Sequence, residues 1–352
     1  MDHNAEILEF LQGVRDQLLG PAAAPELTAA ATALNGAPAV PLPTVAAFWH
    51  ALGFPADPAD RAVTAADLQA IDQLRDLVTE GLVDEQLALS MTRAVARTAD
   101  RLSVWQTQLV AESLAPGDDA PDSHVDLDSA REVALRLAQA ADRMEPLLTY
   151  AWRRHLFGAV TRMVSDADPT DAGAGPRRVV GFADLVNFTS VVRRASEREL
   201  AVMVQRFERL ASDIVTAHGG RVIKTVGDEV LFVSRDPLAG TAIALDLVDT
   251  MGEEEMLPAV RVGLAYGPVL SRIGDVFGTT VNRASRLTAV AGSGRVLADE
   301  QLSARLAELS GFSLRTQRRR HLRGIGAVTP REVTRSHGER RALTALPHTM
   351  TP

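Results

Sequence analysis

Three short stretches in the C-terminal half of the sequence carry acidic, basic and amide side chains at the ends of apolar runs. The first is GFADLVNFTS at 181–190, where an apolar strand ends in Asp184 and a helix is expected to begin at Thr189 or Ser190. A carboxylate at a strand end, beside a turn whose backbone N–H groups lead into a helix, suits a cation and a phosphate side by side. The same pattern is typical of an aspartate that only caps a turn.

The second stretch is VIKTVGDEVLF at 222–232, which predicts two β-strands around a tight Val-Gly-Asp-Glu turn. It contains Lys224, the only lysine in the chain, and Asp228 follows four residues later. A salt bridge between the two across the turn is the plainest explanation of the lysine. If Asp184 and Asp228 converge instead, their hard oxygen atoms suit Mg²⁺ or Mn²⁺ held by carboxylates and substrate phosphate.

The third stretch is GDVFGTTVNRASRLTA at 274–289, where Asp275 closes a strand and a helix is expected from about Thr279. Asn282 and Arg286 lie four residues apart and therefore share one face of that helix. Such a pair presents hydrogen-bond donors, and arginine can form two parallel bonds to a phosphoryl group. A solvated polar helix face is the alternative explanation.

These stretches belong to a 352-residue chain with the composition of a soluble globular protein and enough length for two domains. The formal net charge is −8 at pH 7, so no global basic field favours nonspecific nucleic-acid binding. The absence of cysteine excludes a disulfide scaffold, a thiolate zinc site and a cysteine nucleophile. The start lacks a signal-peptide pattern, and no apolar run reaches about 18 residues. We therefore expect a cytoplasmic protein without stable membrane insertion.

The apolar periodicity changes near the middle of the chain and predicts an α+β protein of two domains. Residues 1–164 have the spacing of helices, and 165–178 form a linker rich in Pro, Gly and Asp. From 179 to 335 the order is strand, helix, hairpin, helix, strand, helix, strand, which predicts a ferredoxin-like α/β sandwich with helices on one face of the sheet. Residues 336–352 are predicted to be a polar tail.

Together the stretches FADLVNFT, GGRVIKTVGDEVLF and VGLAYGPVLSRIGDVFGTTVNRASRL resemble the catalytic domain of the class III nucleotidyl cyclases, over roughly residues 176–335. The whole chain resembles the actinobacterial subgroup with a helical N-terminal regulatory domain. The resemblance implies two Mg²⁺ or Mn²⁺ ions per active site, held by Asp184 and Asp228. It also implies a head-to-tail homodimer, in which the metal aspartates of each site come from one subunit and the base-selecting and transition-state residues from the other.

Four more residues match functional positions of that family: Lys224 and Asp275 for adenine selection, and Asn282 and Arg286 for the transition state. These residue types suit the chemistry, because adenine offers an acceptor at N1 and a donor at N6 while guanine reverses both. The resemblance therefore implies an adenylate cyclase that converts ATP to 3′,5′-cyclic AMP and pyrophosphate. In such an enzyme the ribose 3′-oxygen would attack the α-phosphorus in line, and the two ions would activate the nucleophile and neutralise the triphosphate.

Contacts to the triphosphate are expected from two further places. One is the turn after the first strand, at Phe188 and Thr189, where Asn187 departs from the glycine that many relatives carry. The other is the basic run RTQRRRHLRG at 315–324, through Arg323 or a neighbour. Solvated arginines on an exposed strand explain that run equally well.

The N-terminal domain is predicted to be regulatory, and the resemblance implies a proton or an apolar ligand as its signal. His155 lies just before the linker and could couple the domains through titration near neutrality, although a surface or packing role is commoner for a lone histidine. A loose helix-turn-helix likeness at 48–90 raises DNA binding as an alternative, but acidic residues outnumber arginines there, and we expect no nucleic-acid partner.

Two other functions are alternatives for the C-terminal domain. A diguanylate cyclase would carry GG[DE]EF where this chain has VGDEV. A catalytically silent nucleotide-binding regulator usually lacks metal or transition-state residues, whereas all six matched positions are present here. We therefore expect an active enzyme.

Overall fold

The chain divides into two compact units, Met1–Arg162 and Met163–Pro352. This computed structural model describes residues 3–20, 43–54, 64–114, 126–167 and 175–336 with the exception of Ile273. Half of the predicted linker, residues 168–174, and all but one residue of the predicted tail lie outside the described residues.

The first unit is helical in its described part, as the sequence predicts. Its helices are α1 (His3–Leu19), α2 (Val45–Leu52), α3 (Ala65–Thr79), α4 (Glu85–Leu114) and α5 (Leu127–Asp166), of which α5 ends in the second unit.

Helix α3 begins at a capping box, because the Thr64 hydroxyl accepts from Asp67 N and the Asp67 carboxylate accepts from Thr64 N. The buried apolar side chains of this unit include Phe48, Ile71 and Val133. Over the described residues, no helix combines the length and the apolar character needed to cross a bilayer.

The second unit is an α+β domain. Its elements are β1 (Arg177–Leu185), α6 (Phe188–Val192), α7 (Glu197–Ala217), β2 (Arg221–Val226), β3 (Glu229–Ser234), α8 (Pro237–Glu253), β4 (Val260–Pro268), β5 (Leu270–Arg272), β6 (Asp275–Phe277), α9 (Thr279–Val290), β7 (Val296–Ala298), α10 (Glu300–Ala307), β8 (Phe312–Thr316), β9 (Arg320–Leu322), β10 (Gly326–Val328) and β11 (Arg331–Arg335).

Seven of these strands form one sheet in the order β2-β3-β1-β4-β7-β11-β8. Strand β1 lies between β3 and β4 and is antiparallel to both, while β4 and β7 pair in parallel. The two short hairpins, β5 with β6 and β9 with β10, lie outside the sheet. The end of β1 therefore meets the start of β3 and the start of β4, which is where the candidate carboxylates lie.

Helices cover both faces of this sheet, so the prediction of cover on one face was wrong. Helices α7, α8 and α10 pack on one face through core residues that include Phe207, Ile243 and Leu302. Helix α9 packs on the opposite face, where Ala284 joins a cluster with Phe182. The physical reason is that β1 and β3 are buried on both faces, and a sheet with two apolar faces needs two layers of cover.

A glycine allows α9 to approach the sheet. A Cβ atom on Gly263 of β4 would lie 2.2 Å from Thr288 N and 2.5 Å from Ala284 O. The Thr288 hydroxyl lies 3.0 Å from the Ala284 carbonyl of its own helix and 3.2 Å from the Phe182 carbonyl of β1, so its hydrogen is shared between the two. These contacts hold the helix that carries Asn282 and Arg286 against the two central strands.

Candidate functional site

Asp184 is half-buried near the end of β1, in a row of charged residues that runs across three strands. It pairs in register with Glu229 of β3 on one side and with Arg261 of β4 on the other. Arg261 Nε and Nη2 lie 2.6 Å and 2.5 Å from Asp184 Oδ2. Burial raises the pKa of Asp184, the Arg261 contact opposes that rise, and the negative charge of Asp228 adds to it. The Oδ2 atom of Asp184 therefore contacts the Arg261 guanidinium, and the Oδ1 atom is left for a further ligand.

The turn between β2 and β3 brings Asp228 beside this carboxylate. Gly227 has φ +60°, whereas Asp228 has a negative φ, which is the pattern of a type II′ hairpin turn with glycine at its first central position. The Asp228 carbonyl accepts a hydrogen bond from Leu185 N at 3.0 Å. The two aspartates predicted to bind metal thus converge at the end of β1, beside the turn that leads into β3.

Glu229 is a third carboxylate beside these two aspartates, and it is partly buried as the first residue of β3. Burial raises its pKa, and the charges of Asp184 and Asp228 raise it further against smaller opposing effects of Lys224 and Arg261. Over the described residues, no group of three or more His, Asp or Glu side chains is arranged as a ready metal cage. The two aspartates offer the hard oxygen donors that Mg²⁺ and Mn²⁺ prefer, and such ions complete their coordination with substrate phosphate and water.

Glu229 and Arg261 are not among the functional residues predicted from the sequence. Each interrupts a strand that is otherwise apolar, in DEVLFV and AVRVGLA. By strand alternation Glu229 shares a face with Leu231, and Arg261 shares a face with Ala265. A charged residue on the buried face of a strand is the signal that could have identified both.

Lys224 pairs with Asp275 rather than with Asp228, so the cross-turn salt bridge is not formed. Lys224 Nζ lies 2.7 Å from Asp275 Oδ2, and Val276 N donates to the other carboxylate oxygen at 2.8 Å. The hydrogen bond from Lys224 lowers the pKa of Asp275, with a smaller contribution from the backbone N–H. The two residues predicted to select adenine therefore lie together in one chain, on β2 and β6.

Asn282 and Arg286 are exposed on α9, one helical turn apart. The helix begins after Gly278, which has φ +131°, and Thr280 anchors the first turn by donating its hydroxyl hydrogen to the Pro268 carbonyl at 2.8 Å. Within the described residues neither the Asn282 nor the Arg286 side chain makes a hydrogen bond or an ion pair. Both are thus available to a ligand or a second subunit.

The turn after β1 has a backbone that favours glycine. Asn187 has φ +61° and is the one non-glycine residue with a positive φ among those described. Asparagine tolerates this left-handed conformation better than most residues, which explains how the chain keeps the turn without glycine. Helix α6 then begins at Phe188, one residue before the earlier of the two predicted starts. The Phe188 ring packs against the core, and Thr189 is exposed.

Arg323 lies in the tight connection between β9 and β10 and is exposed. Its neighbour Leu322 is buried against Leu287 of α9, which fixes the hairpin to the outer side of that helix. No hydrogen bond or ion pair joins Arg323 to another predicted site residue in the part of the chain that the structure describes. His155 is exposed on α5.

Comparison with known proteins identifies similar chains. The family model described as adenylate and guanylate cyclase catalytic domain matches residues 177–334. An adenylate cyclase of Glutamicibacter nicotianae is 38% identical over 304 residues, covering 82% of this chain and 74% of the relative. An adenylate cyclase of Streptomyces coelicolor is 37% identical over 318 residues, covering 83% and 82%. Among solved structures, the adenylyl cyclase CyaB from P. aeruginosa is 19% identical with a TM-score of 0.41, over 46% of this chain and 95% of the other.

Proposed function

The chain belongs to the family of adenylate and guanylate cyclase catalytic domains, and on that premise we propose that it converts ATP to 3′,5′-cyclic AMP and pyrophosphate. The observation that carries the choice of ATP is the Lys224–Asp275 pair, with 2.7 Å between Nζ and Oδ2. An ammonium donor beside a carboxylate acceptor matches the N1 acceptor and N6 donor of adenine. Guanine offered to the same pair would leave polar groups unpaired, at a cost of about 1–3 kcal/mol each.

Asp184 and Asp228 are the residues that would hold two Mg²⁺ or Mn²⁺ ions in this proposal. Their convergence and their oxygen donors support it, as does the contact of Arg261 with only one oxygen of Asp184. The bound ions would supply activation of the ribose 3′-oxygen and neutralisation of the triphosphate charge. Arg261 stands next to Asp184 and adds a fixed positive charge for the phosphate groups.

The remaining site residues act on the ribose and the phosphates. Asn282 holds the ribose so that the 3′-oxygen attacks in line, and Arg286 stabilises the charge that builds on the α-phosphoryl oxygens, a role commonly contributing about 10²–10³ in rate. The backbone N–H groups at Phe188 and Thr189, together with Arg323, bind the triphosphate. Neither Asn282 nor Arg286 forms a hydrogen bond or an ion pair with Asp184 or Asp228 in the described part of one chain. The lack of such contacts within one chain supports sites shared across a head-to-tail homodimer.

The helical unit regulates the catalytic unit in this proposal, with a proton or an apolar ligand as the signal. Inside the second unit, Asp166 at the end of α5 pairs with Arg178 of β1 and with Arg235 after β3, at 3.1 Å for the second pair. His155, exposed on the same helix, is the candidate for a pH response.

The test is an assay of purified full-length protein with ATP and Mn²⁺ for cyclic AMP, across a pH range of about 5.5–8.5 in which an unperturbed histidine changes charge. The variant Asp228→Asn is the inactive control, checked for folding by circular dichroism. Cyclic AMP from the parent and none from the variant supports the proposal. A verified dimer that makes no cyclic AMP at any pH contradicts it and favours a silent nucleotide-binding regulator.

A further inference from the structure

The negative charge of Glu229 destabilises this part of the sheet when no cation is bound nearby. It lies directly opposite Asp184 across the β3–β1 pair, and side chains in such opposing positions have Cβ atoms about 4.5–5.5 Å apart. Like charges placed directly opposite each other destabilise a sheet. The glutamate is partly buried, so water screens the repulsion incompletely.

The neighbouring cations are already committed to other carboxylates. Arg261 contacts Asp184, and Lys224 contacts Asp275. Within the described residues, no hydrogen bond or ion pair reaches the side chain of Glu229 or of Asp228. With these two pairs formed, the negative charges of Asp228 and Glu229 have no paired cation among the described residues.

We infer that Glu229 is a positioning residue that raises the affinity of Asp184 and Asp228 for divalent cations, an inference that rests on the metal site proposed above. Its negative charge attracts the incoming ions, and the repulsion it imposes on Asp184 is relieved when they bind. Replacing a group that lies next to metal ligands commonly changes the metal affinity by about 10–100-fold. The ordinary alternative is that Glu229 serves only as a strand-end residue of the hairpin.

The experiment compares the full-length parent with Glu229→Gln, which keeps the shape and removes the charge. The dissociation constant for Mn²⁺ and the Mn²⁺-induced shift of the melting temperature are measured for Mn²⁺ alone and with 3′-deoxy-ATP, which lacks the attacking hydroxyl. Glu229→Asp is the conservative variant that retains the charge. Glu308→Gln, at the exposed end of α10, is the matched control for loss of a glutamate charge elsewhere.

We expect Glu229→Gln to melt at or above the parent temperature without metal, because the repulsion is gone, and to bind Mn²⁺ about tenfold or more weakly. Glu229→Asp should recover most of the affinity, and Glu308→Gln should match the parent. Equal Mn²⁺ affinity in Glu229→Gln and the parent overturns the inference.

Different results would contradict the role of Glu229 and the proposed metal site. A parent that makes cyclic AMP and binds Mn²⁺, with Glu229→Gln binding it equally well, overturns the role of Glu229 alone. A parent whose Mn²⁺ binding survives Asp184→Asn and Asp228→Asn overturns the metal site itself, and the role of Glu229 falls with it.

Discussion

Lys224 and Asp275 form an ion pair across 51 positions of sequence, with Nζ and Oδ2 2.7 Å apart. Lys224 extends from β2, at the outer edge of the main sheet, and Asp275 opens β6 in a separate hairpin. The pair therefore joins two elements that share no backbone pairing. A single lysine in a chain rich in arginine lies at this one contact.

The first prediction concerns the identity of that cation. Lys224→Arg should lower kcat/KM for ATP about tenfold or more, or reduce the preference for ATP over GTP, because a broad guanidinium fork crowds the edge of the base that a compact ammonium can approach. The melting temperature should stay near that of the parent, since the pair is partly exposed. Steady-state kinetics with both nucleotides provide the measurement. Arg209→Lys, a reverse exchange at an exposed position of α7, is the control. Unchanged kinetics in Lys224→Arg would contradict adenine selection by this residue.

The second prediction concerns the pKa of Asp275, which the Lys224 hydrogen bond lowers below its ordinary value. A depressed folded pKa contributes stability above the unfolded pKa, and that stability is lost as the pH falls through the folded value. Lys224→Met should raise the pKa of Asp275 and remove about 1 kcal/mol or less of stability at neutral pH, because the pair is partly exposed. Carboxyl NMR titration measures the first effect and urea denaturation at neutral pH the second. Lys224→Arg should keep the pKa low, and a normal Asp275 pKa in the parent would contradict the pairing.

The apolar periodicity of the sequence predicted the helical and α+β halves. The residue pattern left open whether Asp184 and Asp228 converge, and the resemblance to the cyclase family supplied the prediction that both bind metal. The sequence alone could not predict that Lys224 forms an ion pair with Asp275, because the approach of β6 to β2 depends on how the β5–β6 hairpin leaves the sheet. It also missed the second covered face, since the buried runs in β1 and β3 are compatible with several packing partners. Glu229 and Arg261 became visible as site residues only once cross-strand register fixed them on either side of Asp184.

The third prediction concerns the close approach of α9 to β4. Gly263→Ala places a methyl group against backbone atoms of the helix, at 2.2 Å from Thr288 N, so the helix must move. We expect a loss of about 1–3 kcal/mol or more in the free energy of unfolding and a fall in kcat, because Asn282 and Arg286 move with the helix. Gly252→Ala, where an added Cβ meets nothing within 4 Å, is the control and should be neutral or slightly stabilising. A fully active and stable Gly263→Ala protein would show that the helix is not held as described.

The fourth prediction tests the sharing of sites between subunits. Asp184→Asn and Arg286→Ala should each be inactive alone, because each homodimer lacks one required group in both sites. Mixed and allowed to exchange subunits, they should regain about a quarter of parent activity, since half of the dimers are mixed and each mixed dimer has one complete site. The control mixture, Asp184→Asn with Asp228→Asn, should stay inactive because both changes affect the same half of a site. Activity that does not return in the first mixture would mean that each site is built within one chain.

The fifth prediction concerns where the catalytic unit begins. Asp166 lies near the division between the units, and its carboxylate pairs with the largely buried Arg178 and with Arg235. A fragment that starts at Met163 keeps these pairs, whereas one that starts at Gly175 leaves Arg178 without its partner. We expect the shorter fragment to be less stable by about 1.5–3 kcal/mol in urea denaturation, and Asp166→Asn in the longer fragment to reproduce most of that loss. Equal stability would show that the pair does not anchor the helix end.

The longer fragment is also the one to compare with the full chain in activity. A higher kcat per dimer for the fragment means that residues 1–162 inhibit the catalytic unit, and a lower kcat means that they activate it.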